Sequence, residues 1–109
     1  MSATLPDIIA TYFEAVNAGD AKAASAVFTP FGSVSDERQI HQGREAVQIW
    51  CQDTIVRYRM QADVLSLADI GDHKVAVVRV SGTFPGSPLD FTYRFTLSDQ
   101  GIEQLHITL

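Results

Sequence analysis

The chain has a single cysteine, Cys51, among its 109 residues. An intramolecular disulfide is therefore impossible and a multi-cysteine zinc site is excluded. Basic residues are also few, 8 Lys and Arg against 13 Asp and Glu for a net charge of -5, and no stretch gathers like charges. Nucleic acid and anionic membrane surfaces need a positive patch and are not expected partners. Long apolar runs are missing too. Met1 to Pro6 carry no basic stretch ahead of an apolar segment, so neither a secretory signal nor a membrane span is expected, and a cytoplasmic location is the default. The three histidines, His41, His73 and His106, lack the i, i+4 spacing of a helical metal site, so no metal is expected. No repeat and no low-complexity segment occurs.

What is present is the balance of an ordinary globular protein, 46% hydrophobic and 19% charged residues, in a length that suits one domain spanning 1–109. Thr4, Pro6 and Asp7 form a helix-start pattern. The helix expected from Leu5 to Ala18 places Ile8, Ile9, Tyr12, Phe13, Ala15 and Val16 on one face. Gly19 can take a left-handed conformation to stop it, and Asp20 can cap a short second helix over Ala21 to Phe28. A brief strand is expected from Phe31 to Asp36. A third helix from Arg44 to Val56 carries the stripe Ala46, Val47, Trp50, Cys51, Thr54 and Ile55.

Beyond Val56 the residues become β-branched and aromatic. Tyr58 to Ile70, His73 to Phe84, Leu89 to Leu97 and Ile102 to Leu109 are separated by Gly-Asp, Pro-Gly and Asp-Gln-Gly turn signals, which predicts four antiparallel strands. The third alternates strictly, with Leu89, Phe91, Tyr93, Phe95 and Leu97 on one face and Asp90, Thr92, Arg94, Thr96 and Ser98 on the other. Helices followed by a run of strands indicate an α+β fold. Three helices can cover the aromatic face of such a sheet, and any shortfall in cover becomes a cavity.

The segment Tyr12-Phe-Glu-Ala-Val-Asn-Ala-Gly-Asp20, with Ala26-Val-Phe28 and Gly43-Arg-Glu-Ala-Val47, resembles the nuclear transport factor 2-like superfamily over nearly the whole chain. The ketosteroid isomerase-like and SnoaL-like polyketide cyclase-like branches are the most similar. The resemblance implies a cone-like α+β fold, three N-terminal helices packed in the concave face of a curved, mostly antiparallel sheet. It does not choose among the isomerases, cyclases, epoxide hydrolases, dehydratases and noncatalytic modules that share the fold. In the isomerase branch a tyrosine and a protonated aspartic acid donate to the substrate oxygen while a second aspartate shuttles the proton. Tyr12 matches the tyrosine position and Asp36 the proton-shuttling position. Phe91 stands where the donor acid belongs. Asp90, one residue away, is expected on the opposite face, and loss of one oxyanion donor costs roughly a hundredfold to a thousandfold in rate.

Each candidate has two readings. Tyr12 is either a donor to an oxyanion or a core tyrosine, and Asp36 is either a general base or a solvated turn residue. His106, on the last strand, is a second-rank acid-base candidate or a partly exposed strand histidine. Phe28, Trp50, Phe91, Tyr93 and Phe95 are the expected lining of an apolar cavity. Arg79 and Arg94 invite comparison with the superfamily's epoxide hydrolases, yet alternation puts both on the face away from the aromatics. Cys51 reads as an inert thiol. The leading expectation is a cofactor-independent domain that binds a small hydrophobic molecule and moves a proton next to a carbonyl, isomerase-like or cyclase-like, with a homodimer formed through the sheet. The alternative is a noncatalytic dimeric binding module with a filled cavity.

Overall fold

A computed structural model describes residues 7–36 and 38–109. The helix-start pattern at Thr4 and Pro6 lies outside them. Helix α1 (Asp7–Asn17) buries Ile9, Tyr12, Phe13, Ala15 and Val16, the apolar stripe read from the sequence. Gly19 adopts φ +74°, and Asp20 caps α2 (Ala21–Ala26) by accepting from the Ala23 N–H at 3.0 Å. That helix is shorter than expected, because Phe28 belongs to the sheet. Strand β1 (Phe28–Asp36) has Phe28 and Val34 fully buried. A short strand β2 (Gln39–Gln42), not expected from the sequence, returns along β1 before α3 (Arg44–Tyr58).

The four later strands are β3 (Gln61–Ile70), β4 (His73–Ser81), β5 (Leu89–Ser98) and β6 (Gly101–Thr108). They join the first two in one six-stranded sheet of order β2-β1-β6-β5-β4-β3, antiparallel except where β1 runs parallel to β6. The fold is therefore α+β with three helices against a curved, open, mostly antiparallel sheet. Among the described residues no helix is long and apolar enough to cross a membrane.

The inward face carries Ala76, Val78 and Val80 from β4, Tyr93 and Phe95 from β5, and Ile102, Leu105 and Ile107 from β6, all buried. Helix α1 lies on it through ring contacts. Phe13 meets Tyr93 at 5.5 Å and Phe95 at 6.0 Å, and Tyr12 meets Phe95 at 6.0 Å. Such aromatic pairs add about 0.5–1.5 kcal/mol each beyond area burial. Asn17 then fastens the end of α1 to the start of β3. Its side-chain amide donates to the Ala62 carbonyl at 2.8 Å and its oxygen accepts from the Ala62 N–H at 2.7 Å, as a strand neighbour would.

Two features of this core give measurable consequences. Gly101 (φ +138°) sits so close to the preceding chain that an added Cβ would lie 2.5 Å from the Val27 carbonyl oxygen, whereas Gly71 (φ +61°) faces open space. Gly71→Ala should cost about 1–2 kcal/mol from its left-handed backbone alone. Gly101→Ala should cost more, and equal shifts in urea midpoint would refute the close approach. Burial pushes the Cys51 thiol from 9.0 up to about 12. A thiol whose folded value is raised lends stability that is whole below its unfolded value and is lost as pH climbs towards its folded value. Stability should thus fall between pH 9 and about 12 more steeply in the natural chain than in Cys51→Ala, and Cys51 should resist thiol reagents at pH 8 until the protein unfolds.

Candidate functional site

The helices do not cover the inward face evenly. Phe95 is fully buried beneath α1, Tyr93 is nearly so, and Phe91, two residues further out, is only half-buried. Beyond it opens a pocket of about 680 Å³. Trp50, Thr54 and Tyr58 form one wall from α3, and Val80, Phe91, Tyr93 and Ile107 form the sheet side. Phe84 and Pro85 from the β4–β5 connection and Leu89 at the start of β5 complete the rim. That connection is anchored to α3, since the Thr83 N–H donates to the Tyr58 carbonyl at 2.8 Å and Phe84 packs edge-on against Tyr58 at 5.8 Å.

Asp36 and Arg38 are the charged side chains among the described lining residues. Asp36 ends β1 with the inward phase of Val34, so its carboxyl enters the apolar pocket, and the indole N–H of Trp50 donates to Oδ2 at 3.3 Å. Arg38 follows in the turn to β2 with φ 66°, a left-handed conformation, and its exposed side chain stands at the mouth. Asp36 is therefore part of the pocket and not merely of a solvated turn.

Both buried tyrosines lie within electrostatic range of that carboxylate and of the Cys51 thiol. Desolvation holds the Tyr93 hydroxyl above its ordinary range, and the charge of Asp36 and the Cys51 thiol raise it further. Tyr12 is raised by burial first, then by Cys51, Tyr93 and Asp36. Both phenols stay protonated at any physiological pH and so remain neutral donors. Their positions differ. Tyr93 lines the pocket, while Tyr12 is packed edge-on among Phe13, Phe28 and Phe95 at 5.1 to 6.0 Å and is not among the lining residues.

The sequence candidates thus separate. Asp36, Trp50, Phe91 and Tyr93 come together at the pocket. Phe28 and Phe95, expected in its lining, are instead fully buried core residues, because α1 and the bulged β1 cover them. His106 is turned to the outer face, where it stands opposite Arg94 and Ser35, so it cannot act on a group bound beside Asp36. Asp90 also faces outward, held by Arg79 Nε at 2.9 Å and Nη2 at 3.2 Å, and cannot replace the acid absent at Phe91. Sequence reasoning missed Arg38, Thr54, Tyr58 and Phe84. The helical phase linking Trp50, Thr54 and Tyr58 was available as a signal, but the hairpin turn that brings Arg38 to the mouth was not.

A family model for the SnoaL-like domain matches residues 9–104. A comparison with functionally curated proteins gave no match. Among solved structures, a Sinorhizobium meliloti protein provisionally named a polyketide cyclase is 38% identical, with a TM-score of 0.91 and 95% of each chain covered. A Catenulispora acidiphila protein with a ketosteroid isomerase-like fold, solved with trimethylamine, has a TM-score of 0.85 at 18% identity over 97% of this chain and 87% of that one. The epoxide hydrolase/cyclase-like enzyme SalBIII of salinomycin pyran ring formation has a TM-score of 0.79 at 21% identity over 93% and 86%. The last two show the shared fold. The family model and the S. meliloti relative, together with the architecture, make this chain a member of the SnoaL-like domain family within the nuclear transport factor 2-like superfamily.

Proposed function

We propose that this chain binds a small apolar carbonyl compound in the pocket beside Asp36 and transfers a proton at the carbon next to the carbonyl. One observation carries the reading: a carboxylate oriented by an indole N–H and a phenol kept protonated by burial face one apolar pocket. Asp36 would take the proton from the α-carbon, and the C–H electron pair would move toward the carbonyl to form an enolate. The Tyr93 hydroxyl would donate to the enolate oxygen, and protonated Asp36 would return the proton to carbon, at a new position in an isomerase or cyclase. Tyr12 would support Tyr93 from below, a change from the donor role that the family resemblance gives it. A cytoplasmic setting belongs to the same proposal. The S. meliloti relative's name supports a cyclase-like reaction.

Binding without turnover is the second reading. Apolar Phe91 at the pocket favours it, because the acid that would share the developing charge is missing there. An open volume of about 680 Å³ lies in the range of small-molecule sites and speaks against a core filled by its own aromatics. We further propose a homodimer through the outer sheet face, where Val75 and Val77 are only half-buried and Ile70 is exposed. Sedimentation at micromolar concentration should give a dimer, and a strict monomer would remove this part of the proposal.

Thermal denaturation with a panel of hydrophobic ketones, steroids and aromatic polyketides should reveal ligands that raise the melting temperature, since selective binding to the native state stabilises it. With a compound that turns over, Asp36→Asn should lower kcat by about 10²–10⁴. Tyr93→Phe should lower it by roughly 10²–10³, and Tyr12→Phe by less. A panel that binds but never reacts supports the second reading. Turnover indifferent to Asp36→Asn ends the first.

A further inference from the structure

The pocket lining holds two charged side chains among the described residues, Asp36 and Arg38, and the proton transfer proposed above uses only the first. Arg38 is exposed although it lines a largely apolar space, so its guanidinium stands where that space meets solvent. A tight hairpin puts it there. Asp36 pairs with Gln39 across the turn from β1 to β2, and between them Arg38 holds φ 66°. Hairpins this short favour glycine or asparagine at a left-handed position, because a longer side chain crowds its own backbone. The turn carries an arginine against that preference, and a residue kept in an unfavourable conformation beside a pocket is a candidate for a role in binding.

The charge of Arg38 is also available. Arg57, Lys74 and Arg79 are each held by an aspartate, at 3.1, 2.6 and 2.9 Å. No ion pair involves Arg38 among the described residues. In a chain of net charge -5 it is a local positive point at the edge of a site walled by Trp50, Tyr58, Phe84 and Phe91. A neutral hydrocarbon would leave that guanidinium unused, and a cation would be repelled by it. An apolar body with one negative group satisfies both parts of the lining.

We infer that the compound taken by this pocket carries a carboxylate, held by Arg38 at the open side while the apolar body lies against Trp50 and Phe91; the inference rests on the pocket being the small-molecule site proposed above. A guanidinium offers two parallel N–H donors to the two oxygens of a carboxylate, and one positive charge balances one negative charge. A phosphate monoester, with a charge near -2, would bring surplus negative charge into a site that already holds Asp36. The same repulsion sets the layout of the substrate. Asp36 must be ionised to take a proton, so the substrate's own carboxylate has to lie away from the reacting carbonyl. The substrate class is an apolar keto acid with its acid and its ketone at separate ends, and Arg38 selects it without touching the reacting atoms.

The chain's one tryptophan, Trp50, lines the pocket, so saturable quenching of its fluorescence reports occupancy. The probes are 4-benzoylbutyric acid and 6-benzoylhexanoic acid, each beside its methyl ester, at pH 7 and low ionic strength. At least one acid should bind about tenfold more tightly than its ester, and added sodium chloride should narrow the gap. Arg38→Gln should bring the ratio of acid to ester affinity close to one, and Arg38→Lys, which keeps the charge but loses the fork, should retain part of it. Arg38→Gly suits the left-handed backbone, so it should lose the preference with no fall in melting temperature. Esters bound as tightly as their acids, or an acid preference that survives either neutral variant, would overturn the inference and leave the pocket as a small-molecule site. Quenching by no probe in either form would overturn both. None of these readings needs turnover, so the acid preference stands or falls separately from proton transfer by Asp36.

Discussion

The seat of the first helix on the inward aromatics of β5 is the constraint on which the remaining architecture depends. Tyr12 and Phe13 lie one after the other on α1 and reach Phe95 and Tyr93 together, so helix and strand can meet only where these rings interlock. An 11-residue helix is roughly 16 Å long, against about 33 Å for a ten-residue strand. Cover must therefore run out along β5. Phe95 lies under the helix, Tyr93 at its margin and Phe91 beyond it, and the pocket begins where the rings of α1 stop.

That boundary also decides the electrostatics of the site. A carboxylate at the end of β1 enters a mostly apolar space and needs partners that offset its lost hydration. The Trp50 indole supplies one, and in doing so ties α3 to β1 across the pocket wall. The same low-polarity surroundings raise both nearby phenols and the thiol, with desolvation the leading cause for each. One charged group thus stands among neutral donors, an arrangement suited to moving a single proton without a second carboxylate. Arg38 adds an exposed cation to the same lining.

Most of the fold was legible in the sequence because two periodicities dominate it. The three-to-four spacing of α1 and α3 and the strict alternation of β5 each report one buried face, and the structure buries those faces. The errors fall where periodicity is short or interrupted. Phe28 was read as the end of α2 because it follows an alanine-rich stretch, yet it starts a strand that bulges before Ser33 and so shows no clean alternation. Strand β2 has four residues, too few for any period to show. The site was legible in part. Asp36 and Trp50 stand out as a polar group near a strand end and a large aromatic on a helix, but their contact joins positions 14 residues apart through a hairpin. The exclusion of Phe28 and Phe95 from the pocket depends on how far α1 reaches, a tertiary quantity that no local pattern contains.

Strand β5 shows how one short stretch of sequence can serve two separate surfaces. Its side-chain period of two sends Phe91, Tyr93 and Phe95 inward and Asp90, Thr92, Arg94 and Thr96 outward, so neighbouring residues never share an environment. Phe91 can lack an acid even though Asp90 adjoins it, because a one-residue step crosses the sheet and Arg79 already holds that carboxylate on the far side. Moving the acid to the pocket by slipping the register would turn Tyr93 and Phe95 to solvent and empty the seat of α1. The packing that creates the pocket therefore also fixes which polar groups can enter it. On this backbone a second inward acid can arise only by substitution at an inward position, and not by rearrangement of the acids already present.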